Sequence, residues 1–95
     1  MQLGGNIELE GFDSLEPALL VVVKKMVGSE ARKMTENGIV FEKLKICLDA
    51  DNLSSCGVSG KVIFQGSDFD VSVNENNLFF GIDKVFKKFA SSIKP

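Results

Sequence analysis

The sequence contains no histidine, tyrosine or tryptophan. Without histidine the chain lacks the commonest general base and metal ligand of proteins. A cysteine nucleophile also needs histidine or a comparable activator, so Cys47 and Cys56 do not indicate a catalytic thiol. Two cysteines without histidine do not complete a four-ligand zinc site within one chain. These absences predict that the protein is not an enzyme and holds no metal.

Cysteine and long apolar runs are also scarce. Two cysteines do not form a disulfide framework, and we expect free thiols in a reducing compartment. The longest apolar run, Ala18 to Val23, is far shorter than the ~20 residues that span a bilayer. It follows acidic residues and Pro17 rather than a basic start, so it is not a signal peptide. The sequence therefore predicts a cytoplasmic protein with no membrane association.

Acidic pairs and glycines give no stronger sign of a ligand site. Asp49 and Asp51 begin like a calcium loop, but the glycine at the sixth position and the glutamate at the twelfth are missing. Asp68 and Asp70 lie two residues apart on a predicted strand, so both point to solvent. No glycine-rich phosphate loop leads from a strand into a helix. We expect no small-molecule cofactor.

The chain of 95 residues has the size of one domain. Hydrophobic residues make up 44% of it, which is enough for a core of ordinary size. The net charge of −2 gives no overall attraction to nucleic acid. We therefore predict a single domain spanning residues 1–95. A basic surface on it requires an uneven distribution of charge.

Alternating apolar and polar residues predict four strands. A polar loop is expected over Asp49 to Gly57, and a tight hairpin turn over Gln65 to Asp68, where Gly66 can adopt a positive φ. The predicted strands, or their inward residues, are Asn6 to Phe12, Glu42 to Asp49, Val58 to Phe64, and Phe69 to Val73.

Apolar residues at three- and four-residue spacing predict a first helix between an N-cap at Ser14 and a stop at Asn37-Gly38. The β-branched run Val21 to Val23 leaves a buried strand as the alternative for Ala18 to Val23. Gly28 and Ser29 weaken the middle of this helix. Its predicted apolar face comprises Leu15, Ala18, Leu19, Val22, Val23, Met26, Val27, Ala31 and Met34.

A second helix follows the cap residues Asn74 to Asn77. Its apolar stripe is the clearest in the sequence, and Phe80 falls at the margin of that stripe. The stripe comprises Leu78, Phe79, Ile82, Val85, Phe86, Phe89 and Ile93.

The element order is β-α-β-β-β-α, and each element has one apolar face. The first two strands should be parallel with a right-handed crossover, and the remaining strands should form an antiparallel meander. We therefore predict an α+β fold, a two-layer sandwich in which two helices cover one face of a four-stranded mixed sheet. The other sheet face should carry Glu8, Glu10, Lys43, Lys45, Lys61, Asp68 and Asp70.

Basic residues lie off the apolar stripes of both helices. If the helices lie side by side, their outer surfaces merge into one basic patch that could contact RNA phosphates. Lysine that merely keeps two amphipathic helices soluble is the alternative. No outward-facing aromatic pair lies on a strand, so an RNA backbone is favoured over stacked bases. The candidate RNA-binding residues are Lys24, Lys25, Arg32, Lys33, Lys84, Lys87, Lys88 and Lys94.

The segment GKVIFQGSDFDVSVNENNLFFGIDKVFKKFASSIK, Gly60 to Lys94, resembles the hibernation promoting factor and ribosome-associated inhibitor A family. The resemblance rests on a glycine turn at Gly66, a polar cap at Asn77, an aromatic residue at Phe79, and the pair Ile82-Asp83. Lys43 to Asp51 is similar to the family's second strand, and Ile7 to Met26 to its first strand and helix.

This resemblance implies the β-α-β-β-β-α fold and binding to the rRNA of the small ribosomal subunit near the decoding centre. It also implies that the protein blocks tRNA and mRNA access and preserves idle ribosomes. Lys88 lies where family members place a helix lysine, and Lys24 and Lys25 lie in the basic stretch of the first helix. The chain departs from the family at Ser91, where relatives often have arginine, and at Gly28.

Two other hypotheses remain open. The chain could be a small non-catalytic module that forms a homodimer or binds a protein through its exposed sheet face or an edge strand. It could also bind double-stranded RNA, since most of the chain shares the α-β-β-β-α order of double-stranded RNA-binding domains. That third hypothesis rests on fold analogy alone.

Overall fold

The computed structural model describes residue 3 and residues 5–13, 15–52 and 55–93, without the side chains of residues 50–52, 55 and 56. The element order is the predicted β-α-β-β-β-α. The elements are β1 (Ile7–Glu10), α1 (Pro17–Glu36), β2 (Lys43–Asn52), β3 (Ser55–Phe64), β4 (Ser67–Glu75) and α2 (Leu78–Ser92).

The four strands form one mixed sheet in the order β1-β2-β3-β4. β1 pairs with β2 in parallel, with Ile7 opposite Leu44 and Leu9 opposite Ile46. β2, β3 and β4 pair antiparallel. α1 is thus the crossover between two neighbouring parallel strands, as predicted. Since β4 runs parallel to β1, both helices start at the same end of the sheet.

The predicted loop from Asp49 to Gly57 is wrong, because β2 runs on to Asn52 and β3 begins at Ser55. Asp49 pairs with Gly57 and Ala50 with Cys56 across the two strands. A Cβ at Gly57 would lie 2.9 Å from the carbonyl oxygen of Asp49. Backbone pairing therefore extends the strands through a stretch whose polar composition resembles that of a loop.

The predicted turn between β3 and β4 is confirmed in a shorter form. Gln65 and Gly66 connect the strands with φ of 53° and 78°, the positive values that a two-residue type I′ turn requires. Phe64 pairs directly with Ser67, so Ser67 and Asp68 belong to β4.

α1 runs without a break from Pro17 to Glu36, which excludes the alternative strand. Glu16 occupies the cap position, and the predicted cap Ser14 lies outside the described residues. The end at Asn37 and Gly38 is confirmed: Gly38 has φ 92°, and the Ile39 amide donates to the Met34 carbonyl at 2.9 Å.

The predicted apolar face of α1 is partly wrong. Val23, Val27, Ala31 and Met34 are buried, whereas Ala18, Leu19 and Val22 are exposed. At about 100° per residue, Ala18 and Val22 lie well around the helix from the line of buried residues. The run of apolar letters therefore continues onto the solvent side of α1.

α2 buries its predicted stripe. Ile82, Val85, Phe86, Phe89 and Ile93 are buried, and Leu78 and Phe79 are partly buried against the same core. A Cβ at Gly60 of β3 would lie 2.7 Å from Val85 Cγ1 and 2.8 Å from Phe89 Cζ. The missing side chain in β3 therefore lets α2 pack closely against the sheet. Residues of α1 and α2 share one core with the same sheet face, as predicted.

Candidate nucleic-acid interface

The outer side of α1 carries a compact group of cations. Lys24, Lys25 and Arg32 are exposed, and together with Gly28 and Ser29 they line an open depression of about 410 Å³. Lys24, Gly28 and Arg32 are four residues apart and therefore follow one side of the helix. Gly28 contributes no side chain to the depression, and a Cβ there would meet nothing within 4 Å. We call Lys24, Lys25 and Arg32 the α1 cation cluster.

Within the described part of the chain, no carboxylate forms an ion pair with a member of the α1 cation cluster. The other helix lysines mostly differ from them. Lys33 lies 3.3 Å from Glu30, Lys84 lies 3.0 Å from Glu75, and Lys87 lies 3.0 Å from Asp83. Lys88 is exposed and, among the described residues, has no acidic partner. Surface ion pairs of this kind contribute roughly 0–1 kcal/mol to the stability of the fold. Their main effect here is to neutralise part of the local positive charge.

The eight basic residues predicted from the sequence therefore differ in how far nearby carboxylates neutralise their charge. Seven of them are exposed on the two helices, and Lys94 lies outside the described residues. Glu75 and Asp83 offset part of the charge of α2, and the pairing with Glu75 depends on where β4 ends. The strongest uncompensated positive charge lies on α1.

Phe80 is a surface residue that the sequence pattern placed at the margin of the core. Its side chain is 65% exposed, whereas the other seven phenylalanines are buried or partly buried. Asn77 caps α2 through Oδ1, which accepts hydrogen bonds from the amides of Phe79 at 2.8 Å and Phe80 at 3.3 Å. The cap fixes the backbone that presents the ring. The sequence carried one signal of this exposure, because Phe80 lies outside the apolar stripe at three- and four-residue spacing.

The opposite face of the sheet is charged but largely self-compensated. Lys43, Lys45 and Lys61 on the central strands pair with Glu8, Glu10 and Asp68 at 3.6, 3.1 and 3.5 Å. These residues confirm the predicted outward register. The lysines occupy the middle of this face and the acids its two edges.

Cys47 lies on the same outward face, beside the Glu10–Lys45 pair. Its thiol donates a hydrogen bond to Glu10 Oε2 at 3.4 Å. Partial burial, together with this carboxylate, raises the pKa of the Cys47 thiol. The hydrogen bond from Lys45 in turn lowers the pKa of Glu10. A raised thiol pKa opposes formation of the reactive thiolate.

Two further site types find no support in the described residues. No group of three or more histidine, cysteine, aspartate or glutamate side chains there could hold a metal ion. No helix of the described chain is long and apolar enough to cross a membrane.

Comparison with known proteins finds matches among solved structures. No protein-family model matches the chain, and no curated protein sequence matches it. A solved ribosomal subunit interface protein from Coxiella burnetii superposes with a TM-score of 0.69 at 14% identity, over 90% of each chain. The N-terminal domain of Protein Y from Thermus thermophilus superposes with a TM-score of 0.72 at 19% identity, over 90% of this chain and 92% of the other.

The chain thus has the α+β fold of a ribosomal subunit interface protein. The resemblance noted in the sequence, to the hibernation promoting factor family, is confirmed at the level of this fold.

Proposed function

We propose that this protein binds the rRNA of the small ribosomal subunit, inhibits translation and preserves idle ribosomes in the cytoplasm. The observation that carries the proposal is the α1 cation cluster, placed on a fold shared with a ribosomal subunit interface protein. No catalytic step is part of this function, and the protein acts by occupying its site.

The chemistry of the α1 cation cluster suits phosphate. Its three cations are exposed, close in sequence on one helix side, and without competing carboxylates among the described residues. Because Gly28 has no side chain, a phosphate can approach the helix between the flanking cations. Lysine and arginine contacts of this kind position a protein on nucleic acid without reading its sequence.

The eight candidate residues should contribute unequally. Lys24, Lys25, Arg32 and Lys88 can meet phosphate directly, whereas Lys33, Lys84 and Lys87 must first leave their carboxylates. Lys94 stays in the candidate set on sequence grounds. A net charge of −2 gives the molecule no overall attraction to RNA. The interaction should therefore be one-sided, with the helix face toward the RNA and the sheet face away from it.

Co-sedimentation with purified small subunits tests the proposal. The protein should pellet at low salt and be released as salt rises, because phosphate contacts release counterions. A variant with Lys24→Glu, Lys25→Glu and Arg32→Glu should stay in the supernatant while remaining folded by circular dichroism. Wild-type protein that stays in the supernatant at low salt contradicts subunit binding.

The control is Lys61→Glu, which reverses one lysine charge on the opposite face of the sheet. This variant should pellet like the wild type. If the triple variant pellets as well as Lys61→Glu does, the α1 cation cluster is not the contact site. Inhibition of a cell-free translation reaction should follow the same ranking of variants, and its absence despite binding would contradict the inhibitory role.

A homodimer remains the second candidate function. It is favoured by β4, a nine-residue strand at the edge of the sheet, since an unpaired edge can pair with another chain. The outward charges of Asp68 and Asp70 near this edge oppose such pairing. A solution mass that rises with concentration would support the dimer, and a constant monomer mass would contradict it.

A further inference from the structure

We propose that Phe80 is a stacking platform for an unpaired base of the bound RNA. The inference rests on the proposed function and adds a base contact to a phosphate-binding surface. It departs from the sequence-based expectation, which considered aromatic residues on strands alone.

The first argument is the exposure of Phe80 on a rigid support. Its ring is 65% exposed on α2, while Phe79 beside it packs against the core. Two hydrogen bonds to Asn77 fix the first turn of the helix. The backbone that carries the ring therefore loses little conformational freedom when a partner covers it, which favours binding.

The second argument is the charge around the ring. Lys84 and Lys87 follow Phe80 by one and two helical turns on the same exposed side of α2. Each lysine is exposed and pairs with a partly buried carboxylate, Lys84 with Glu75 and Lys87 with Asp83, and phosphate can replace such surface pairs at little cost. An aromatic ring beside lysines is the arrangement by which proteins hold a nucleotide through both its base and its phosphate.

The third argument separates RNA from a protein partner. Within α2, all of which is described, Phe80 is the one large apolar side chain that is exposed. The other exposed residues of this helix are lysines, an alanine and serines. A protein hot spot needs surrounding contacts that exclude water, whereas a base stacks on one ring and leaves its edges in solvent.

The absence of tryptophan and tyrosine makes the test direct. In the Phe80→Trp variant all indole emission comes from the proposed platform, and a stacked base quenches it. We expect quenching on addition of protein-free rRNA of the small subunit and of a short, unstructured oligouridylate. We also expect Phe80→Ala to weaken binding to small subunits about tenfold or more, as loss of one stacked base does.

Two controls isolate the ring. Phe80→Leu keeps an apolar side chain but should behave like Phe80→Ala. Val40→Ala removes two methyl groups from another exposed apolar residue, 68% accessible, and should bind like the wild type. The salt dependence of Phe80→Ala should equal that of the wild type, because stacking releases no counterions.

The outcomes distinguish the two proposals. If wild-type protein binds small subunits while Phe80→Ala binds equally well, stacking is overturned and the proposed function stands. Weaker binding of Phe80→Ala without quenching of Phe80→Trp by either RNA indicates an apolar protein contact and also overturns stacking. Quenching by oligouridylate without subunit binding supports the platform and contradicts the proposed function.

Discussion

Gly60 shows how one missing side chain sets the distance between two layers. It faces α2 from the middle of β3, and an added Cβ would fall within 2.8 Å of Val85 and Phe89 atoms. Phe86 and Phe89 meet edge to face, with ring centroids 6.1 Å apart, so Phe89 has little room to move. A dense core transmits such a clash to its neighbours.

Replacing Gly60 with alanine should therefore lower the free energy of unfolding by roughly 1–3 kcal/mol, the usual cost of overpacking. Urea denaturation measures the change. Ser59→Ala, at the adjacent residue on the opposite face, should change stability by about 0.5 kcal/mol or less. Equal stability of Gly60→Ala and the wild type would contradict the close packing of α2 on β3.

The Cys47 thiol gives a pH-dependent prediction. Partial burial and the hydrogen bond to Glu10 raise its pKa above the ordinary value of 9.0. The folded chain therefore holds the thiol proton more tightly than the unfolded chain. The resulting stabilisation is complete below the ordinary thiol pKa and is lost as pH rises through the folded pKa.

In a Cys56→Ser background, iodoacetamide should modify Cys47 more slowly in the folded chain than in urea, with rates read by mass spectrometry near pH 8.5. Glu10→Gln should speed the folded reaction, since the thiol then faces Lys45 without the carboxylate. The same rate in folded and unfolded chains would contradict the raised pKa.

The two helices differ in how well their sequences predict them. α2 has apolar residues on one side and lysines on the other, so the pattern alone gives its buried face. In α1 six consecutive apolar residues, Ala18 to Val23, supply more apolar surface than one face can bury. Packing against the sheet decides which side of α1 is covered, and the apolar run alone does not show which side that is.

The N-cap of α2 is both readable in the sequence and present in the structure. Asn77 accepts two amide hydrogen bonds, whereas the neighbouring Asn76 is exposed and makes no such bond. Asn77→Ala should cost about 1 kcal/mol of stability. Asn76→Ala should cost much less in the same thermal or urea melts. A similar loss of stability in both variants would contradict a specific stabilising role for the cap hydrogen bonds of Asn77.

At the scale of the whole molecule, the sequence predicted the element order, the parallel first pair of strands and the two layers. It also predicted which sheet face is charged. The distribution of free and paired lysines could not be predicted, because Lys84 and Glu75 meet only after β4 and α2 are placed. The β2–β3 extension could not be predicted either, since backbone pairing overrides the polar composition of Asp49 to Gly57.

The sheet should not be uniformly stable. β3 lies between two strands, whereas β1 is a four-residue strand at the edge of the sheet that the described residues form. Amide hydrogen exchange should therefore be slower in Val58 to Val62 than in Ile7 to Glu10. Equal protection of both strands would show that β1 opens only when the whole domain unfolds.

The parallel pairing of β1 also has a consequence during synthesis. Ile7 finds its partner Leu44 only after all of α1 has been made, while β2, β3, β4 and α2 meet close neighbours in the chain. β1 and α1 thus emerge first and are completed late, with the apolar residues Val23 and Val27 uncovered in the interval. Assembly should begin in the later part of the chain, where loop closure costs least entropy. The residues of β1, which are translated before the other elements of the described chain, are then among the last to reach their final positions.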